Sequence, residues 1–130
     1  AITSKKIINT IDEAEPIGPK ALVDVLAVVP CTGNTLAKMS NAITDTAVTM
    51  AVKSHLRCQR PVVIALASND ALGASAQNIG KMLNVKNVYF VPLSQDDPKK
   101  KPNSLVAHFD LLLPSIEMAL DGQQLQPIFR

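Results

Sequence analysis

Apolar positions along this chain follow two different spacings, and the spacing changes at regular intervals. Ile7, Ile8, Ile11 and Ala14 recur at helical spacing across residues 2–14, behind Thr3 or Ser4 as a cap, until Pro16-Ile17-Gly18-Pro19 breaks the pattern. The run Val23-Asp24-Val25-Leu26-Ala27-Val28-Val29 then reads as a strand that Pro30 stops. From Asn34 to Gln59, Leu36, Met39, Ile43, Val48, Ala51 and Val52 return every three or four residues. Asp45, a short polar side chain after Thr44, caps the second of two helices in series. Pro61 opens Val62-Val63-Ile64-Ala65-Leu66-Ala67, a run too continuous for a strand with one wet face and expected of a central parallel strand. Helix is predicted again from Asp70 to Leu83, with Gly73 and Gly80 as weak points, and a third strand at Val88-Tyr89-Phe90-Val91, closed by Pro92. A loop from Leu93 to Pro102 leads to Leu105, Phe109, Leu112, Leu113, Ile116 and Leu120, which mark a long terminal helix bent near Pro114.

Strands alternating with helical crossovers predict an α/β fold with a doubly wound parallel sheet. Right-handed crossovers then put the carboxyl ends of all three strands on one edge. Three polar loops gather there: Pro30 to Thr35, Ser68 to Asp70 and Ser94 to Ser104. Ligands of open parallel sheets bind at that edge. The 130 residues, 47% hydrophobic, suffice for one core, so residues 1–130 are read as a single domain.

Thirteen Lys and Arg against eleven Asp and Glu leave a formal charge of only +2, which gives no electrostatic footprint for nucleic acid or a membrane surface. Aromatic residues make up 3%, too few for a base-stacking platform. Cys31 and Cys58 lack the spacing of a disulfide framework or a metal site, so no metal is expected and a reducing cytoplasm fits. No apolar run reaches the roughly 18 residues that a membrane span needs.

Chemistry concentrates at Pro30-Cys31-Thr32-Gly33-Asn34-Thr35, where the first strand gives way to a helix. A helix start offers unpaired N–H groups, Gly33 allows close backbone approach, and Thr32, Asn34 and Thr35 bring side-chain hydrogen bonds. Capping alone needs one of those three. Asn69 with Ser68 and Asp70 holds a ring edge or a carboxylate, or else Ser68 or Asn69 caps the next helix. Cys31 is read as a small filler, since no histidine is assigned beside it. His55 continues the stripe of Val48, Ala51 and Val52 as a packed or interface histidine. His108 is placed beside Phe109 on the last helix. Lys99-Lys100-Lys101 is either a solvated loop or a cationic contact at the ligand edge. No residue is singled out for catalysis.

The hexapeptide, continued by Leu36-Ala37-Lys38-Met39 and Asp45, resembles the Pro-Ala-Ser-Ala-Asn-Thr signature of the homo-oligomeric flavin-containing cysteine decarboxylase superfamily. Cys31, Thr32 and Gly33 depart from it. A second signature, Pro-x-Met-Asn-x-x-Met, falls on Leu66-Ala67-Ser68-Asn69-Asp70-Ala71-Leu72 and keeps only its asparagine. Asn34-Thr35, Ser68-Asn69-Asp70-Ala71-Leu72-Gly73, Gln95-Asp96-Asp97-Pro98 and Lys101-Pro102-Asn103-Ser104 are similar to the bacterial dipicolinate synthase B-subunit family over nearly the whole chain.

That resemblance implies a flavodoxin-like or Rossmann-like three-layer α/β/α fold. It implies FMN at Thr32, Gly33, Asn34, Thr35, Ser68 and Asn69, and a small dicarboxylate substrate at Asn69, Asp70 and Lys101. The partner it implies is the A subunit of dipicolinate synthase, carrying NADP or NAD, within a homo-oligomeric assembly in the mother-cell cytoplasm of a sporulating bacterium. The activity implied is oxidation of dihydrodipicolinate to dipicolinate. A non-catalytic assembly role without flavin, or a flavin-dependent decarboxylation, stands as the alternative. Family members also carry an amino-terminal strand and helix that nothing before Ala1 supplies. The expectation is therefore the carboxyl-terminal part of a longer chain, or an open apolar sheet edge completed by another chain.

Overall fold

A computed structural model describes residues 24–130, so the helix expected over residues 2–14 and the break at Pro16 to Pro19 lie outside the described residues. The most apolar segment became the centre of the sheet. Strand β2, Val62–Ser68, has Val62 through Leu66 fully buried, each at 0% exposure. Burying a valine, leucine or isoleucine contributes roughly 1.5–3 kcal/mol, so this strand fixes where the core lies. Strand β1, Leu26–Cys31, runs parallel to it in the register Leu26 to Val62, Ala27 to Val63 and Val28 to Ile64. Strand β3, Val88–Phe90, lies parallel on the other side, with Val62 opposite Val88 and Ile64 opposite Phe90. The three expected strands therefore run the same way.

Pro30 does not stop β1. The register slips between Val28 and Cys31, so that Val29 and Pro30 stand opposite the single residue Ala65 before Cys31 meets Leu66. A bulge of this kind tolerates a residue that has no N–H to give the ladder. The sheet is also not wholly parallel. Beyond β3 the upper half of β2 pairs antiparallel with β5, Leu105–Ala107, through Ala67 to Val106 and Ser68 to Leu105. Strand β4, Leu93–Ser94, pairs antiparallel with β5 in turn. The segment expected as a loop from Leu93 thus begins as a strand, and Leu105 belongs to a strand rather than to the last helix.

Helix α1 spans Gly33–Ser40 and α2 spans Ala47–Arg57, the expected pair in series. The cap of α2 is Thr46, not Asp45. Thr46 and Thr49 exchange backbone-to-hydroxyl bonds at 3.1 Å each, while the Asp45 carboxylate pairs with Lys38 at 3.1 Å. Helix α3 covers only Ala76–Leu83, because residues 70–75 form turns instead. A 3-10 turn at Phe109–Leu111 precedes α4, Leu112–Leu120. Pro114 is the third residue of α4, within the first turn where N–H groups have no intrahelical partner, so it needs no bend. Helix α1 packs against both α2 and α3, and α4 packs on β2 and β3, which gives the α/β/α layering. None of the helices among the described residues is long and apolar enough to cross a membrane.

Candidate functional site

Thr32 ends the β1 segment in an extended conformation and starts α1. Its hydroxyl accepts the Thr35 N–H at 3.2 Å and donates to the Thr35 hydroxyl, also at 3.2 Å. Two of the three polar side chains expected at this junction are thus joined to each other as the cap. The third, Asn34, is exposed, and its side chain makes no hydrogen bond among the described residues. Leu36, at 0% exposure, anchors the turn into the core.

Gly33 brings a second loop into contact. A Cβ built on it would lie 3.0 Å from Ser68 Oγ and 3.1 Å from Ser75 Oγ, closer than ordinary side-chain contacts. The carboxyl ends of β1 and β2 therefore meet at Gly33, and only a residue without a side chain lets them meet this closely. Ser68 Oγ accepts the Asp70 N–H at 3.2 Å. The Asp70 carboxylate accepts the Ala74 N–H at 3.3 Å, and its carbonyl accepts from Gly73 at 3.0 Å and Ser75 at 3.2 Å. The Asp70 side chain is thus spent on the turn, and a Cβ on Gly73 would collide with that carboxylate. Asn69 stands exposed on this turn, and its side chain has no hydrogen bond among the described residues.

The third loop is tied to the second through Leu72 N–H, which donates to the Asn103 carbonyl at 2.9 Å. Within it, Gln95 donates to the Pro102 carbonyl at 3.0 Å and Lys101 N–H to the Asp97 carbonyl at 2.8 Å. The Asp96 carboxyl is held below its ordinary range, first by the nearby Ser104 hydroxyl and also by the Lys101 charge. Ser104 is buried and its hydroxyl lacks a well-formed hydrogen bond. Lys101 is exposed in this third loop, where its charge acts on Asp96. The three loops converge as the topology required, with Thr32, Gly33, Asn34, Thr35, Ser68 and Asn69 in the first two and Lys101 one loop further out.

Cys31 is fully buried, and burial pushes its thiol up to about 12, so it is no thiolate at neutral pH. His55 lies at the opposite end of the strands, near Asp24 and Pro61 where β1 and β2 begin. It is fully buried, neither ring nitrogen has a well-formed hydrogen bond, and burial pushes its pKa down. His108 precedes the 3-10 turn, and its backbone N–H donates to Pro92 at 2.8 Å. Among the described residues no three His, Cys, Asp or Glu side chains group as metal ligands.

Ser75 and Ser104 are buried polar residues of this region that the sequence pattern does not mark as part of the site. Ser75 carries no signal, because residues 70–83 have the periodicity of one unbroken helix. Ser104 is visible only as the end of a polar loop.

The same chain resembles known proteins over most of its length. It is 49% identical over 127 residues to the B subunit of dipicolinate synthase from Bacillus subtilis (strain 168), covering 98% of this chain and 64% of that protein. The crystal structure of the dipicolinate synthase B subunit from Bacillus halodurans C superposes with a TM-score of 0.94 at 45% identity, over 98% of this chain and 66% of that one. The FMN-dependent cysteine decarboxylase SpaF superposes with a TM-score of 0.58 at 26% identity, covering 91% of this chain and 60% of that one. The chain therefore spans a little under two thirds of the relatives it matches. The flavoprotein family profile matches residues 2–110, and with the parallel strands and converging loops described above this chain belongs to the flavoprotein family.

Proposed function

We propose that this chain serves as the flavoprotein-like part of a dipicolinate synthase B subunit. It takes part in oxidising dihydrodipicolinate to dipicolinate while NADP or NAD held by the enzyme's A subunit is reduced. The observation that carries the reading is the Gly33 junction. Two loops meet there within 3.0–3.1 Å of an absent Cβ, and on either side the exposed Asn34 and Asn69 present amide groups with no hydrogen-bond partner among the described residues. Such a cradle suits a flat polar ring that needs both donors and acceptors at its edge. FMN fits these residues, and when bound it supplies two-electron chemistry to a site whose side chains offer none.

Each residue then has a separate task. Thr32 and Thr35 fix the start of α1, so that its unpaired N–H groups face the ligand. Asn34 and Asn69 hold the flavin edge, and Gly33 and Ser68 set how closely it approaches. Asn69 and Lys101 attract the dicarboxylate. Asp70 acts through the turn it closes, its carboxylate accepting the Ala74 N–H at 3.3 Å. Residues 1–130 act as one domain, the whole assembles as a homo-oligomer with the A subunit, and its setting is the mother-cell cytoplasm during sporulation.

A second reading has one observation in its favour. The segment from Leu66 to Leu72 keeps a single polar residue of the decarboxylase signature, as expected if the fold persists only to assemble the A subunit. FMN titration decides between the two. Saturable binding, weakened at least tenfold by Asn34→Ala and by Asn69→Ala, is expected together with slower dihydrodipicolinate oxidation when each variant is co-expressed with the A subunit. Absence of FMN binding, with unchanged oxidation in both variants, refutes the flavin reading and leaves the assembly role. Carbon dioxide release from a carboxylated thiol would instead indicate decarboxylation.

A further inference from the structure

The carboxyl-terminal residues of the described chain return to the sheet through an isolated parallel bridge that no periodicity announces. Phe129 pairs in parallel with Leu93, Leu93 N–H donates to the Ile128 carbonyl at 2.7 Å, and Arg130 N–H donates to the Leu93 carbonyl at 2.8 Å. This strap walls a cleft of about 230 Å3 whose other walls include Leu72, Leu93, Gln95 and Leu105. Leu93 and Leu105 are buried beneath it, whereas Leu72 and Phe129 remain 47% and 53% exposed. Two large apolar side chains from separate segments thus stand half in solvent on the walls of one cleft.

We propose that this cleft binds a planar ring carboxylate, the ring in contact with Leu72 and Phe129 and the carboxylate on Arg130. Three features carry it. First, among the described residues Arg130 is the one charged side chain of the lining, and its guanidinium is already oriented. Its Nε donates to the Pro127 carbonyl at 3.1 Å and Nη2 to the Gln126 carbonyl at 3.2 Å, which leaves three of five donors for an anion. Second, sites for drug-sized molecules run to roughly 300–1,000 Å3, so a cleft of about 230 Å3 suits a single substituted ring. Third, Leu105 lies opposite Ser68 in the sheet and Leu72 follows Asn69 by three positions. A bound ring would therefore sit beside the loop edge and not on a remote face. The identity of the acid, as the substrate or product of the proposed oxidation, rests on the preceding reading; the cleft and its chemistry do not.

The test titrates the protein with pyridine-2,6-dicarboxylate, and separately with benzene-1,3-dicarboxylate, by calorimetry and by NMR shifts. Saturable binding is expected, at least tenfold weaker in Arg130→Met, partly restored in Arg130→Lys, and lost in Leu72→Glu, which sets a like charge in the cleft. Both positions are exposed, and unchanged melting confirms that the variants fold. Absence of saturable binding at millimolar ligand overturns the proposal, as does binding unaltered by both Arg130→Met and Leu72→Glu. FMN titration of the same proteins separates the two claims. Diacid binding that depends on Arg130 without any FMN binding supports the cleft and removes the flavin reading. FMN binding without diacid binding does the reverse.

Discussion

Replacing Gly33 by alanine tests the contact on which the candidate site depends. The added methyl would stand 3.0 Å from Ser68 Oγ and 3.1 Å from Ser75 Oγ, where ordinary contacts begin at 3.4 Å. Ser68 can retreat only by turning its hydroxyl away from the Asp70 N–H that it accepts at 3.2 Å, which loses a hydrogen bond of about 1 kcal/mol. Overpacking adds to this within the usual range of about 1–3 kcal/mol. Helix propensity favours alanine by up to about 1 kcal/mol in a helix interior, and by less at this first helical position. The net expectation is a loss of about 1–4 kcal/mol, read as a fall in Tm of roughly 4–15 °C. Removing the Ser68 hydroxyl should relieve part of it: with Ser68→Ala the contact to residue 68 opens to 3.7 Å at its Cβ, while Ser75 Oγ stays at 3.1 Å. Urea melts of both single variants and the double variant should then show coupling of about 1 kcal/mol in the direction of rescue. A Gly33→Ala protein as stable as the wild type, with additive effects in the double variant, would refute the close approach of the two loops.

Gln124→Ala should destabilise by about 2–3 kcal/mol in a thermal melt, because the Gln124 amide accepts the Phe90 N–H at 2.8 Å and donates to the Phe90 carbonyl at 2.6 Å. Phe90 is fully buried, and without that amide both backbone groups at the outer edge of β3 would be left unpaired. Cys31 should resist alkylation at pH 8 until the protein unfolds, since its pKa stands near 12 and its exposure is 0%; rapid modification of the native protein would contradict the burial. His55 makes stability fall with acid. Burial holds its folded pKa below the unfolded value of 6.5, so its contribution is complete above pH 6.5 and is lost as pH drops toward the folded value, with a slope of up to about 1.4 kcal/mol per pH unit. Denaturation midpoints from pH 7.5 to pH 5 should show less of this loss in His55→Gln.

Legibility followed the range of the interactions. Val62 through Leu66 announced a strand buried on both faces because five consecutive apolar side chains leave no wet side, and all five are at 0% exposure. The hexapeptide at Thr32 was legible for the same local reason: a polar cap and a glycine between an apolar run and a helical stripe specify a strand-to-helix turn. Asp45 misled because both it and Thr46 can cap a helix, and the choice was made by Lys38, seven residues back in sequence, which takes the Asp45 carboxylate. Leu105 misled because its spacing to Phe109 and Leu112 is helical, yet it stands opposite Ser68, and its neighbours Val106 and Ala107 opposite Ser94 and Leu93, only once β2 and β4 are in place.

By itself the sequence determined the three parallel strands, the helices between them and the rim on which their polar ends collect, since these follow from side-chain periodicity and the handedness of crossovers. Tertiary structure alone decided that Ser75 faces Gly33, that His55 lies at the far end of the sheet, and that Phe129 and Arg130 return to β4 to close a cleft. Each of those arrangements joins residues tens of positions apart through backbone hydrogen bonds or close packing. No periodicity encodes such contacts, because they arise only where the assembled core leaves a donor, an acceptor or an apolar surface to be met.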